Sequence, residues 1–253
     1  MRKHFPVMQE RPEVPRIFIG LIYGILAFFS LPFIMLILLQ GSFENDAVVS
    51  GIEIAYHVIN GAAALYIMWE YIKDCFLYAA VGWRDVWKTV GIGAGIMLLV
   101  ANLEACLLGL ESNAIWASYG IVPLTEVELF LMPSFVVQLN PVLGTICMSV
   151  AVPFAISALF YAVVFAPICC KKPWLAYLVM AVYLFFPRFC NGFTYWDMGT
   201  EIMMYFVQLP LHMIACWTYQ KTDTIWAPIL THGIVNFLTS LYWIIPMLLM
   251  GLA

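Results

Sequence analysis

Residues 142–168 read VLGTICMSVAVPFAISALFYAVVFAPI, an apolar run without a single charged side chain. About 20 such residues suffice for a helix to cross the hydrocarbon core of a bilayer. The same test carried outward along the chain places helices near 17–39, 52–72 and 88–110 before this run, and near 174–190, 201–219 and 225–250 after it. The expected fold is therefore all-α, a polytopic transmembrane helical bundle of about seven spans, or eight if a partial helix forms at 128–139. The stretch 112–140 is interrupted by Gly120, Pro123 and Pro133 and reads as a loop or interfacial segment. Pro246 leaves open whether 225–250 is one tilted helix or two shorter pieces.

Composition agrees with that reading. Of 253 residues 64% are hydrophobic and only 10% charged, with a mean hydropathy of +0.94, far above the apolar content of ordinary soluble domains. Three segments are expected: a cytoplasmic N-terminal segment at 1–16, N-terminal transmembrane helices and an extracytoplasmic loop at 17–140, and a transmembrane core at 141–253. The apolar run after Arg2, Lys3, Arg11 and Arg16 is longer than a signal-peptide core, so it reads as a retained anchor. A net charge of −4 spread over short loops gives no basic patch for nucleic acid. The seven cysteines lack the paired spacing of zinc sites or disulfide frameworks and read as small buried hydrophobes. Cys169 and Cys170, beside Lys171 and Lys172, also sit where S-acylation occurs.

Charge sorting gives the orientation. With the N-terminus inside, ten of the eleven basic residues fall in cytoplasmic segments: Arg2, Lys3, Arg11, Arg16, Lys73, Arg84, Lys88, Lys171, Lys172 and Lys221. Glu44, Asp46, Glu111, Glu126, Glu128 and Asp197 fall in the opposite loops, and Arg188 alone breaks the pattern.

Polar side chains are costly in hydrocarbon, so those inside the spans mark candidate sites. They are Glu53, His57 and Asn60; Asn102 and Glu104; Arg188 and Cys190; Gln208 and His212; His232 and Asn236. His232 and Asn236 are four apart and so share a helix face about 6 Å from one another. An imidazole there can activate a water while the carboxamide orients it or donates to a developing oxyanion; a pair that hydrogen-bonds a neighbouring helix would have the same spacing. Glu53 and His57 read as an i,i+4 pair. Gln208 and His212 read as groups that satisfy backbone opened by Pro210. No HExxH or other short-range ligand pair accompanies His57, His212 and His232, so no metal and no cofactor are expected.

The passage YQKTDTIWAPILTHGIVNFLTSL, Tyr219 to Leu241, resembles the last motif region of the CPBP intramembrane proteases, which include CAAX prenyl endopeptidases and bacteriocin-processing or immunity proteins. Trp226-Ala227-Pro228-Ile229 followed by His232 and Asn236 matches the family's HxxxN with its Trp-Ala-Pro-Ile start. Aligning Ile156 to Gly192 with the family's EExxxR and FxxxH motifs puts the two glutamates on Ile156 and Ser157, the arginine on Tyr161, and the FxxxH pair on Phe186 and Cys190. The resemblance covers about the last 100 residues.

What the resemblance implies is an intramembrane endopeptidase of the CAAX or leader-peptide type, with His232 and Asn236 catalytic and Ser157, Tyr161, Phe186, Cys190 and Glu104 as cavity-lining candidates. The missing glutamates remove the general base, which contributes about 10²–10⁴-fold. Either the chain is non-catalytic, or Glu104 serves as a recruited base, or the first motif aligns elsewhere. The implied partners are the lipid bilayer and a peptide or lipidated protein, in an opening toward the cytoplasm, and by family habit the location is a bacterial plasma membrane. A non-catalytic peptide-binding or immunity protein and a small-solute transporter are the alternatives.

Overall fold

In α5, the helix Pro141–Cys169, two prolines decide how the backbone ladder runs. A proline has no N–H to offer the carbonyl four residues back, and here Pro153 and Pro167 each follow a π-helical stretch by two residues: Cys147–Ala151 and Ser157–Phe165. The N–H of Val152 reaches five back to Cys147, and that of Ala166 five back to Tyr161. All nine residues from Ser157 to Phe165 are buried, as expected of a helix apolar on every side.

The computed structural model describes residues 12–27, 46–118, 141–195 and 198–249. Among the described residues it is all-helical, 94% helix with no strands, in eight helices. Besides α5 these are α1 (Val14–Ile25), α2 (Asp46–Ile67), α3 (Trp69–Val81), α4 (Trp83–Ser118), α6 (Pro173–Tyr195), α7 (Met198–Thr222) and α8 (Trp226–Leu249). Helix α5 is the axis, packed by α1, α2, α6, α7 and α8, while α4 lies outside against α7 and α8. Burial separates the two roles: 78% of the apolar window of α5 is buried against 28% for that of α4. These two windows, Trp83–Leu103 and Pro141–Cys169, are long and apolar enough to cross a membrane; Val14–Ile25, Ile54–Ile67 and Pro173–Phe186 are shorter apolar helices.

Residues 28–39 of the first expected run lie outside the described residues; within them, the helices follow the expected runs with three differences. The span expected at 52–72 stops at Ile67, because Met68 leaves helical geometry (φ −104°, ψ 12°), and α3 occupies most of what read as a loop up to residue 88. Helix α4 continues to Ser118, beyond the boundary expected near 110; the partial helix expected at 128–139 lies outside the described residues. Pro246 does not divide the last run, which is one helix.

Helix α3 is amphipathic, with Tyr71, Ile72, Cys75 and Ala79 buried, and this face covers the turn between α7 and α8. There Tyr71 and Tyr219 hydroxyls pair at 2.8 Å, Thr224 Oγ1 donates to the Cys75 carbonyl at 3.2 Å, and Trp226 Nε1 donates to the Ile72 carbonyl at 3.1 Å. Burial pushes the Cys75 thiol up to about 11. The α5–α6 turn meets the same end through Tyr177, whose hydroxyl donates to Gln220 Oε1 at 2.9 Å. Lys73, Arg84, Lys88, Lys171, Lys172 and Lys221 thus gather at one basic end. Apolar side chains project outward elsewhere, as in the ridge Trp174, Leu178, Val182 and Phe186 on α6 and Ile92, Ile96, Leu99 and Leu103 on α4. Contiguous outward ridges of this kind are rare on water-soluble monomers.

Small residues let the neighbours approach α5 closely. A Cβ on Gly61 of α2 would lie 3.0 Å from the Ala151 carbonyl oxygen, and one on Gly233 of α8 only 2.6 Å from that of Ser149. Gly233→Ala therefore forces α8 off α5 and is expected to cost about 1–3 kcal/mol, the usual range for overpacking. Gly91→Ala, where a Cβ meets nothing within 4 Å, is expected to be neutral or stabilising. Thermal unfolding followed by helical circular dichroism compares the two; equal midpoints would contradict this packing.

Candidate functional site

Three helices bring polar groups together beside the middle of α5. Tyr161, fully buried on α5, has its hydroxyl 2.8 Å from His212 Nδ1 on α7. The His212 and His232 rings stand edge to face with centroids 6.4 Å apart, and the Tyr161 and His212 rings with centroids 6.2 Å apart. Which of the two groups donates in this hydrogen bond follows from the His212 tautomer. The cluster lies about 9 Å along α8 from its start and about 15 Å along α7 from its end, at 1.5 Å per residue.

Asn236 has a different job. Met148 lies in the first π stretch of α5; Val152 gives its N–H to Cys147, and Pro153, the donor that an i,i+5 ladder would supply to Met148, has none. The Asn236 Nδ2 group donates to that carbonyl at 2.7 Å. His232 and Asn236, expected to address one object together, thus face different neighbours: the imidazole stands against α7 and the amide against the α5 backbone.

Access differs along the cluster. Ser157 and Tyr161 are fully buried, whereas His212, His232 and Asn236 are half-buried, as is every residue of α7 from Val207 to Ile214. A helix half-buried on all sides over two turns is not fully enclosed by its neighbours. Hydroxyls of α5, α7 and α8 fall into two groups. Thr218, Thr222, Thr239 and Ser240 donate back to carbonyls of their own helices. Ser149 Oγ, Ser157 Oγ and Thr231 Oγ1 are buried with no hydrogen-bond partner among the described residues, and such groups ordinarily hold ordered water or a ligand.

The other expected residues fall elsewhere. Phe186 is half exposed on the outer ridge of α6. The side chains of Glu53, Glu104, Arg188 and Cys190 lie outside those described. Asn60 accepts the Tyr23 hydroxyl at 2.7 Å and ties α1 to α2, and Asn102 donates to Leu98 on its own helix. The His57 ring stacks edge to face on Tyr56. Among the described residues no three His, Cys, Asp or Glu side chains are grouped to hold a metal ion. His212 is the residue that sequence reasoning placed in a backbone-satisfying role; the available signal was a histidine two positions after Pro210 in an otherwise apolar helix.

No family model matches the chain, and no curated protein or solved structure matches it.

Replacing Asn236 by leucine, which has similar volume, leaves the Met148 carbonyl unsatisfied and is expected to cost about 1–3 kcal/mol. Ser157→Ala removes only an unpartnered hydroxyl and is expected to shift stability by less than about 0.5 kcal/mol. Chemical unfolding of both variants is the check; a neutral Asn236→Leu would remove the amide from its supporting role.

Proposed function

We propose that the chain is an integral membrane protein of the CPBP type, crossing the bilayer about seven times with its basic end cytoplasmic, whose central site binds a peptide or lipidated protein segment without cleaving it. The membrane reading rests on two helices of spanning length and apolarity, on the outward apolar ridges of α4 and α6 and on the clustering of lysine and arginine at one end. The site reading rests on one observation above all: Tyr161, His212 and His232, from three different helices, meet within the bundle.

Chemistry favours binding over hydrolysis. Where the related proteases are expected to carry two glutamates and an arginine, this chain has Ile156, Ser157 and Tyr161. Two imidazoles, a phenol and a hydroxyl can exchange hydrogen bonds with peptide amides or a terminal carboxylate. The carboxylate general base of the related proteases, worth about 10²–10⁴-fold, has no counterpart at Ile156 and Ser157.

Two measurements test this. A variant retaining Cys170 as its sole cysteine, exposed at the α5–α6 turn, is expected to react with a membrane-impermeant maleimide only in inside-out vesicles; reaction only in right-side-out vesicles would invert the topology. In nanodiscs, a fluorescent farnesylated peptide is expected to bind saturably and remain intact by mass spectrometry. His232→Ala and Tyr161→Phe should each weaken binding about tenfold, the effect of roughly 1.4 kcal/mol. Cleavage abolished by His232→Ala would make the protein an enzyme, and absence of saturable binding would end the peptide reading.

A further inference from the structure

At the basic end, where the start of α1 meets the junction of α2 and α3, a groove of about 660 Å³ opens to the outside of the bundle. Its walls are apolar, formed largely by Ile19, Leu65, Tyr66 and Trp69, with Arg16 and Glu70 as the charged residues of its lining. Tyr66 is 83% and Trp69 49% exposed, so the wall is open to the surroundings on this side. Aromatic side chains of this kind settle at the headgroup level of a bilayer.

The charges at its mouth are balanced. Arg16 Nη1 donates to the Ile67 carbonyl at the end of α2 (3.3 Å), and its Nε lies 3.7 Å from Glu13 Oε2. A guanidinium has five donors, so it retains N–H groups for an anion. Glu70 pairs with Lys73 through Oε2, which leaves Oε1 as an acceptor. Two cations and two carboxylates therefore surround the apolar slot, and a ligand with one charge of each sign and an apolar tail is complementary to it.

We infer that this groove holds a zwitterionic phospholipid of the phosphatidylethanolamine class, with its phosphate on Arg16, its ammonium on Glu70 Oε1 and an acyl chain along Ile19 and Leu65. Phosphatidylcholine has no N–H to give Glu70, and phosphatidylglycerol would bring a net negative charge beside Glu13 and Glu70. The inference rests on the bilayer embedding proposed above and is independent of the histidine cluster.

The test uses the full-length protein reconstituted in nanodiscs that contain equal parts of the three lipids, followed by native mass spectrometry of the released protein. Reconstitution itself reports on bilayer embedding separately. Phosphatidylethanolamine is expected to be retained over the other two. Arg16→Ala should lower its retention about three- to fivefold, the scale of one charge-assisted contact at a partly exposed site. Glu70→Gln should reduce the preference for ethanolamine over glycerol headgroups, and Ala62→Trp, which fills the slot from an exposed position, should lower all three lipids together. Equal retention of the three lipids, or a preference for phosphatidylglycerol, would overturn the inference. So would a wild-type protein that retains lipid only after residues 1–11 are deleted, which would assign the groove to the chain's own N-terminal segment.

Discussion

The hydrogen bond from Asn236 to the Met148 carbonyl, 2.7 Å long, joins a defect in one helix to the position of another. Pro153 withholds an N–H, the α5 ladder shifts to five-residue steps upstream of it, and a carbonyl deep in the bundle is left without a backbone donor. An unmet carbonyl in apolar surroundings is expensive, so α8 must bring its amide to that point. Gly233, one turn away, removes the side chain that would keep the two backbones apart. With α8 seated, His232 is brought against His212, and Tyr161 holds the latter from α5.

Much of the fold was legible because long apolar runs leave a chain few alternatives to helix: the runs at 142–168, 174–190 and 201–219 each fall within one helix, and Trp226–Leu249 forms one helix within the run at 225–250. The turn at Met68 was not legible: Trp69, Tyr71 and Ile72 continue the apolar run, and what draws α3 into a separate element is its hydrogen bonding to the distant Tyr219, Thr224 and Trp226. The site was partly legible. His232 and Asn236 stood out by spacing, but spacing does not say that the amide is needed by a backbone carbonyl 88 positions away. His212 and Tyr161 are on different helices, and nothing local to either signals the other.

Polar groups in this bundle fall into two kinds. Asn60, Trp226, Thr224 and Tyr71 have partners that tie elements together, and they occupy the α1–α2 contact and the basic end. Ser149, Ser157 and Thr231 have none among the described residues. Interiors seldom leave hydroxyls unmet, so these three mark positions where the packing of α5 and α8 does not by itself complete the hydrogen bonding.

The mixed ladder of α5 also changes the ruler by which its sequence is measured. An α-helix turns once in 3.6 residues and a ladder of five-residue steps turns more slowly, so side chains four apart, which drift one way in the first geometry, drift back in the second. Thr145, Ser149, Pro153, Ser157 and Tyr161 are spaced by four, and alternation of the two ladders keeps such a series near one side of the helix. Replacing Pro153 or Pro167 would therefore change which α5 side chains share a face without changing any other letter of the sequence.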